Sequence, residues 1–127
     1  MLIKTLINSW TTSRRLHEPT IHPCLFCGEH EDDLSHYLNC EFLWTIIISS
    51  ARLNVNLISL PPLARLGLSS PNLLGLRLLV CGFRVYHTIK SLHLDEVLLT
   101  IANRDPEPRE VLTLDLVQVF LKELGIT

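Results

Sequence analysis

Charge of either sign is scarce in this chain: 19% of its 127 residues are Asp, Glu, Lys or Arg, and the formal balance is only −2. So nearly neutral a molecule is no long-range trap for nucleic acid or anionic lipid, and any contact with a polyanion has to come from a local patch. An apolar run of membrane-spanning length is also missing. Leu43 to Ile48 is far too short for a bilayer, and the leucine-rich stretch from Leu73 to Ile89 carries Arg77 and Arg84 inside it, so neither a transmembrane helix nor a membrane role is expected. Met1-Leu2-Ile3-Lys4, then Asn8 and the polar Thr11 to Arg15, lack the uninterrupted apolar segment of a secretory signal. The expectation is an intracellular protein, nuclear or cytoplasmic. There is no glycine-rich phosphate loop, no G-x-S-x-G elbow and no H-E-x-x-H, and every candidate nucleophile lacks an identifiable base. No enzyme is expected.

What the chain does have is apolar mass. Hydrophobic residues make up 47% of it and leucine alone fills 27 positions, which excludes wholesale disorder and suits one small helical domain. Leu2, Ile3, Leu6, Ile7 and Trp10 fall on one helical stripe. Glu41 to Ile48 is apolar but rich in β-branched residues, so helix competes with buried strand. Pro61-Pro62 and the run Gly67 to Pro71 mark a connection, and Ser70-Pro71 is a cap followed by proline at a first helical position. A long helix should follow from about Asn72, through Leu76, Leu79, Phe83, Tyr86 and Ile89, to about Leu92. In Val111 to Leu124 the alternation of Leu112, Leu114 and Leu116 leaves strand open, whereas Phe120, Leu121 and Leu124 prefer helix. The reading is mainly α, with residues 1–45 forming a helix and a metal knuckle, and residues 46–127 a helical tail packed in the same unit.

Four cysteines in a reducing compartment point to metal or inert burial rather than disulfides. Cys81 sits among Leu78, Leu79, Val80 and Phe83 and reads as a buried thiol. The other three form a pattern: Cys24-x2-Cys27, eight residues, then His36-x3-Cys40. Two cysteines three apart can aim both sulfurs at one ion from a tight turn, and Gly28 eases the fold-back. Asp32 or Asp33 can cap a short helix on which His36 and Cys40, four apart, share a face. Three thiolates and an imidazole saturate tetrahedral zinc, leaving no open position for water, so the expected ion is a structural Zn2+. His22 and His30 are near enough to substitute as ligands. The competing reading is three buried cysteines and a surface histidine.

These residues, together with Leu6 to Arg15, Asp33, Tyr37 and Leu43-Trp44, resemble the zinc-binding region that lies C-terminal to the polymerase in reverse transcriptases of non-LTR retrotransposons. The likeness covers about Leu2 to Trp44. It implies that Cys24, Cys27, His36 and Cys40 are the knuckle ligands and that Arg14 and Arg15 form a basic turn near nucleic acid, in a module that helps a parent enzyme hold RNA or DNA. No polymerase motif accompanies it, so the chain looks like a detached C-terminal piece of such an element, and no polymerase or endonuclease activity of the parent can be assigned to it.

Charge is unevenly placed as well. Arg52, Arg65, Arg77, Arg84 and Lys90 stand in a stretch without acids, while seven acids follow from Asp95 against Arg104, Arg109 and Lys122. Two faces of opposite sign that attract each other within the fold account for this; a basic strip of Arg52, Arg77 and Arg84 against phosphate is the other reading. The expected function is a noncatalytic zinc-binding, nucleic-acid-binding accessory. The alternative is a zinc-stabilised protein-interaction domain whose apolar helices meet a protein partner or a second copy.

Overall fold

A computed structural model describes residues 21–37, 39–51 and 73–126. The expected helix from Leu2 to Trp10, the basic turn at Arg14 and Arg15, the proline connection, the Ser70-Pro71 cap and Arg52 and Arg65 lie outside them. Among the described residues the chain is mainly helical: α1 (Leu34–Tyr37), α2 (Glu41–Ser50), α3 (Leu73–Leu92), α4 (Leu94–Ala102) and α5 (Glu107–Glu123). Extended pairing among them is limited to one antiparallel bridge between Pro23 and Glu31.

Helix wins over strand in α2 because Leu43, Trp44, Ile47 and Ile48 recur at helical spacing, and burying all four on one face outweighs the β-branched preference of three successive isoleucines. The same competition resolves the same way in α5. Its buried stripe is Arg109, Thr113, Val117 and Leu121, every fourth residue, while Leu114 is exposed. Two prolines sit before or within its first turn, where a missing N–H costs nothing.

Helix α3 packs against α2 and α5, and α2 against α5, enclosing a core of Trp44, Ile47, Ile48, Leu79, Val85, Ile89, Val117 and Leu121. Helix α2 thus runs through residues 45 and 46 and belongs to the same packed unit as the tail. Arg84 on α3 meets Glu123 on α5 at 3.6 Å, an attraction between the basic and acidic stretches; at such exposure it contributes little stability.

The sequence periodicity ended the long helix at Leu92 correctly but provided no helix for residues 94–102. A single residue, His93, with φ −131°, breaks α3 from α4, and Asp95 and Glu96 then occupy the favourable first turn. Two residues beyond the end of α4, Arg104 is a non-glycine residue at φ 55°. No described helix is long and apolar enough to cross a membrane.

Candidate metal centre

Residues 22–32 form a small hairpin. The Cys24 N–H donates to the His30 carbonyl at 2.6 Å, the Asp32 N–H to the His22 carbonyl at 2.8 Å, and the Gly28 N–H to the Cys24 carbonyl at 3.0 Å. Gly28 takes φ +73°, a turn conformation that favours glycine, and a Cβ there would stand 3.1 Å from the Ile101 side chain of α4, which would have to shift slightly to admit it.

The hairpin aims Cys24 and Cys27 at His36 and Cys40. The four donor atoms lie within 4.8 Å of one another, with Cys24 Sγ 3.9 Å from Cys40 Sγ and Cys27 Sγ 3.3 Å from His36 Nε2. Metal–sulfur and metal–nitrogen bonds of about 2.3 and 2.0 Å at tetrahedral angles place ligand atoms roughly 3.5 to 3.8 Å apart, so the cluster has the dimensions to hold one metal ion. The cysteines are free thiols. Cys24 and Cys40 are buried, whereas Cys27 and His36 are partly exposed.

One detail differs from the sequence reading. His36 and Cys40 do not share a helix: α1 stops at Tyr37, and Cys40 is the N-cap of α2. The two ligands converge across a helix junction, where the Trp44 indole N–H, donating to the Tyr37 carbonyl at 2.7 Å, holds the end of α1 against α2. His30 does not replace His36; its ring stacks on it at 4.3 Å. His22 contributes its carbonyl to the hairpin.

Asp33 stays at the start of α1, its carbonyl accepting from the His36 and Tyr37 N–H groups and its carboxylate from the Ser35 hydroxyl at 2.9 Å. Asp32 does something the sequence did not signal. It is fully buried and accepts from the Tyr37 hydroxyl at 2.5 Å and from the Tyr86 hydroxyl of α3 at 2.9 Å, with the Lys90 ammonium 4.0 Å away. The Tyr37 hydroxyl in turn accepts the Leu25 N–H at 3.3 Å. Phe26 stands edge-on to Tyr37 at 5.6 Å, and Tyr37 to Tyr86 at 4.8 Å. The hairpin is therefore tied to α3 through a buried carboxylate, and its aromatic side chains belong to the main core.

Packed this closely, the three thiols do not ionise alike. Hydrogen bonds from Cys24 and then Cys40 hold the Cys27 thiol far below its ordinary range. Burial, with the Cys27 hydrogen bond adding, pushes Cys24 up to about 11; the bonds to Cys24 and Cys27, then burial, push Cys40 up as well. Burial alone raises Cys81 to about 12, in keeping with an inert thiol.

Both raised thiols are protonated at neutral pH in the metal-free chain, so a divalent ion that takes three thiolates must displace two protons. Raising the pH lowers the cost of that displacement. Metal affinity should therefore climb by about two decades per pH unit near neutrality, measured by competition with a chromophoric chelator; a flat profile would mean that these thiols are already ionised.

Cys27 and His36 also line a cleft of about 1130 Å³ with Phe42, Arg104 and Arg109. Arg84 and Lys90 of the basic stretch face Glu123 and Asp32, and no basic strip with Arg52 is described. Comparison of the chain with protein-family models, curated proteins and solved structures finds no match.

Proposed function

We propose that the chain is a zinc-stabilised, noncatalytic helical module that serves as a nucleic-acid-binding accessory, akin to the zinc-binding region that follows the polymerase in non-LTR retrotransposon reverse transcriptases. The observation that carries the zinc reading is the convergence of Cys24, Cys27, His36 and Cys40 within 4.8 Å. Thiolate and imidazole donors at tetrahedral spacing favour zinc over hard cations, which prefer oxygen. Four protein donors complete the coordination, and an ion so enclosed supplies cross-linking rather than an activated water. The nucleic-acid reading is supported by the resemblance and by Arg14 and Arg15, the adjacent basic pair that follows Trp10.

The test begins with zinc content by mass spectrometry on protein purified without added metal. One zinc per chain is expected, and loss of it in His36→Ala and Cys40→Ser. RNA and DNA binding is then followed against salt. Each phosphate contact adds about 0.7 to 0.9 to the slope of log affinity against log salt, so replacing Arg14 and Arg15 by Gln should reduce it by about 1.4 to 1.8. An unchanged slope removes this pair from the interface.

A second reading, a protein-interaction domain, is favoured by one observation: Leu92, Leu99, Val111 and Val119 are 74, 60, 53 and 51% exposed. It requires the zinc-loaded chain to self-associate or hold a protein partner while showing no salt-dependent binding to RNA or DNA.

A further inference from the structure

Arg109 is an odd residue to find buried where it is. It stands in the first turn of α5, where the helix dipole disfavours a cation, and it is only 5% exposed. No carboxylate lies within 4.0 Å of its guanidinium among the described residues. Instead its Nε donates to the Phe26 carbonyl, inside the Cys24-x2-Cys27 turn, at 2.5 Å. One terminal nitrogen donates to Thr100 Oγ1 at 3.0 Å, and the group lies over the Phe42 ring at 5.7 Å. Burial lowers its pKa, and the charges that oppose this are those of Cys27 and Cys24, ahead of Asp105. A buried cation needs a counter-charge, and the group this one holds most closely is the Phe26 carbonyl between Cys24 and Cys27.

The converse need exists at the metal. Three thiolates and a neutral imidazole on a divalent ion leave one net negative charge inside the protein. We propose that Arg109 is the outer cation of the metal centre: it fixes the Cys24–Cys27 turn through the Phe26 carbonyl and balances the charge of the loaded cluster, so that α5 is part of the site although it carries no ligand. This rests on the reading of Cys24, Cys27, His36 and Cys40 as metal ligands. It adds that their affinity is set by a side chain 83 residues beyond the turn it holds.

The experiment uses the full chain. Zinc affinity is measured by chelator competition, and the sulfur-to-metal charge-transfer band is recorded after cobalt substitution, for wild type, Arg109→Met, Arg109→Lys and Val117→Ala. Val117 is a buried residue of α5 away from the cluster, so its truncation loosens the helix and leaves the charge in place. Arg109→Met should bind zinc about 10- to 100-fold more weakly and move the cobalt band. Arg109→Lys, which keeps the charge but not the two-way donation to Phe26 and Thr100, should recover part of the affinity and hold the band. Val117→Ala should leave the band unmoved.

Wild-type affinity and an unmoved band in Arg109→Met overturn the proposal alone. So does Val117→Ala reproducing the Arg109→Met loss, which would assign the effect to helix docking. A wild-type chain that takes up no metal overturns this proposal together with the metal reading. Should Arg109→Met fail to fold, Arg109→Lys decides: a several-fold weaker affinity supports the proposal, and unchanged affinity overturns it.

Discussion

Cys24→Ser should abolish cooperative unfolding of the knuckle together with α2, and the melting transition followed by circular dichroism should broaden and fall to near ambient temperature even in excess zinc. Cys24 is fully buried, anchors the first strand of the hairpin through its N–H, and lies 3.9 Å from Cys40. Serine there leaves a hard, buried hydroxyl facing two sulfurs and an imidazole. Structural zinc contributes about 10 to 16 kcal/mol in small knuckle-type peptides, whereas a whole domain is stable by only about 5 to 15 kcal/mol. Losing most of the metal term therefore removes most of the fold's margin. The hairpin's other supports, Phe26 and Leu25 in the core, the Asp32 tie to α3 and the Arg109 bond to the Phe26 carbonyl, are expected to fall short of that loss. His36→Ala, at a partly exposed position, should bind zinc more weakly yet fold when zinc is abundant, since three sulfurs remain and water can reach the fourth position. A Cys24→Ser chain melting within a few degrees of wild type, with or without chelator, would show that the core alone holds the knuckle.

Asp32→Ala has the second largest effect, about 3 to 5 kcal/mol lost from the zinc-loaded protein in urea unfolding. The substitution withdraws an acceptor from two buried phenols, Tyr37 and Tyr86, and a counter-charge from Lys90, all inside a packed aromatic cluster. Tyr86→Phe removes one donor and leaves the carboxylate with Tyr37, so it should cost only about 1 kcal/mol. The contrast between the two variants identifies the carboxylate as the centre of the network. An Asp32→Ala protein within about 0.5 kcal/mol of wild type, the range of an ordinary surface change, would mean that the loop-to-α3 tie contributes nothing.

The clustering of Cys24, Cys27, His36 and Cys40 was legible because it is written into local spacing: a turn brings Cys24 to Cys27, and a few residues bring His36 near Cys40. What joins the knuckle to the rest was not legible, because it depends on partners far along the chain. Asp32 looked like a helix cap, since an acid before a short helix normally is one; only the packing of α3 brings Tyr86 to it. Arg109 looked like one of three basic residues in an acidic tail, and nothing local distinguishes it except an unfavourable place in a first turn. Helix α4 was passed over for a different reason. Its apolar residues Leu94, Val97, Leu98 and Ile101 have helical spacing, but no glycine or proline separates them from α3, and His93 alone makes the break. In α5 the leucines suggested helix without marking its whole buried stripe, since the helix buries Arg109 and Thr113 along with Leu121 and leaves Leu114 outside.

The distances along the chain at which the knuckle is anchored also set a clock for its assembly during synthesis. All four ligands are in place by residue 40, but Tyr86 follows Asp32 by 54 residues and Arg109 follows Phe26 by 83. At about 5 to 20 residues per second, these partners are added roughly 3 to 11 s and 4 to 17 s after the groups they bind. On the zinc reading, the ion cross-links the nascent segment for that interval, before these partners arrive. Zinc captured early presents α3 and α5 with a finished docking surface as they arrive; in a zinc-poor ribosomal environment the leucine-rich helices emerge first to a chain with no fixed N-terminal half, and their apolar faces must find one another without it.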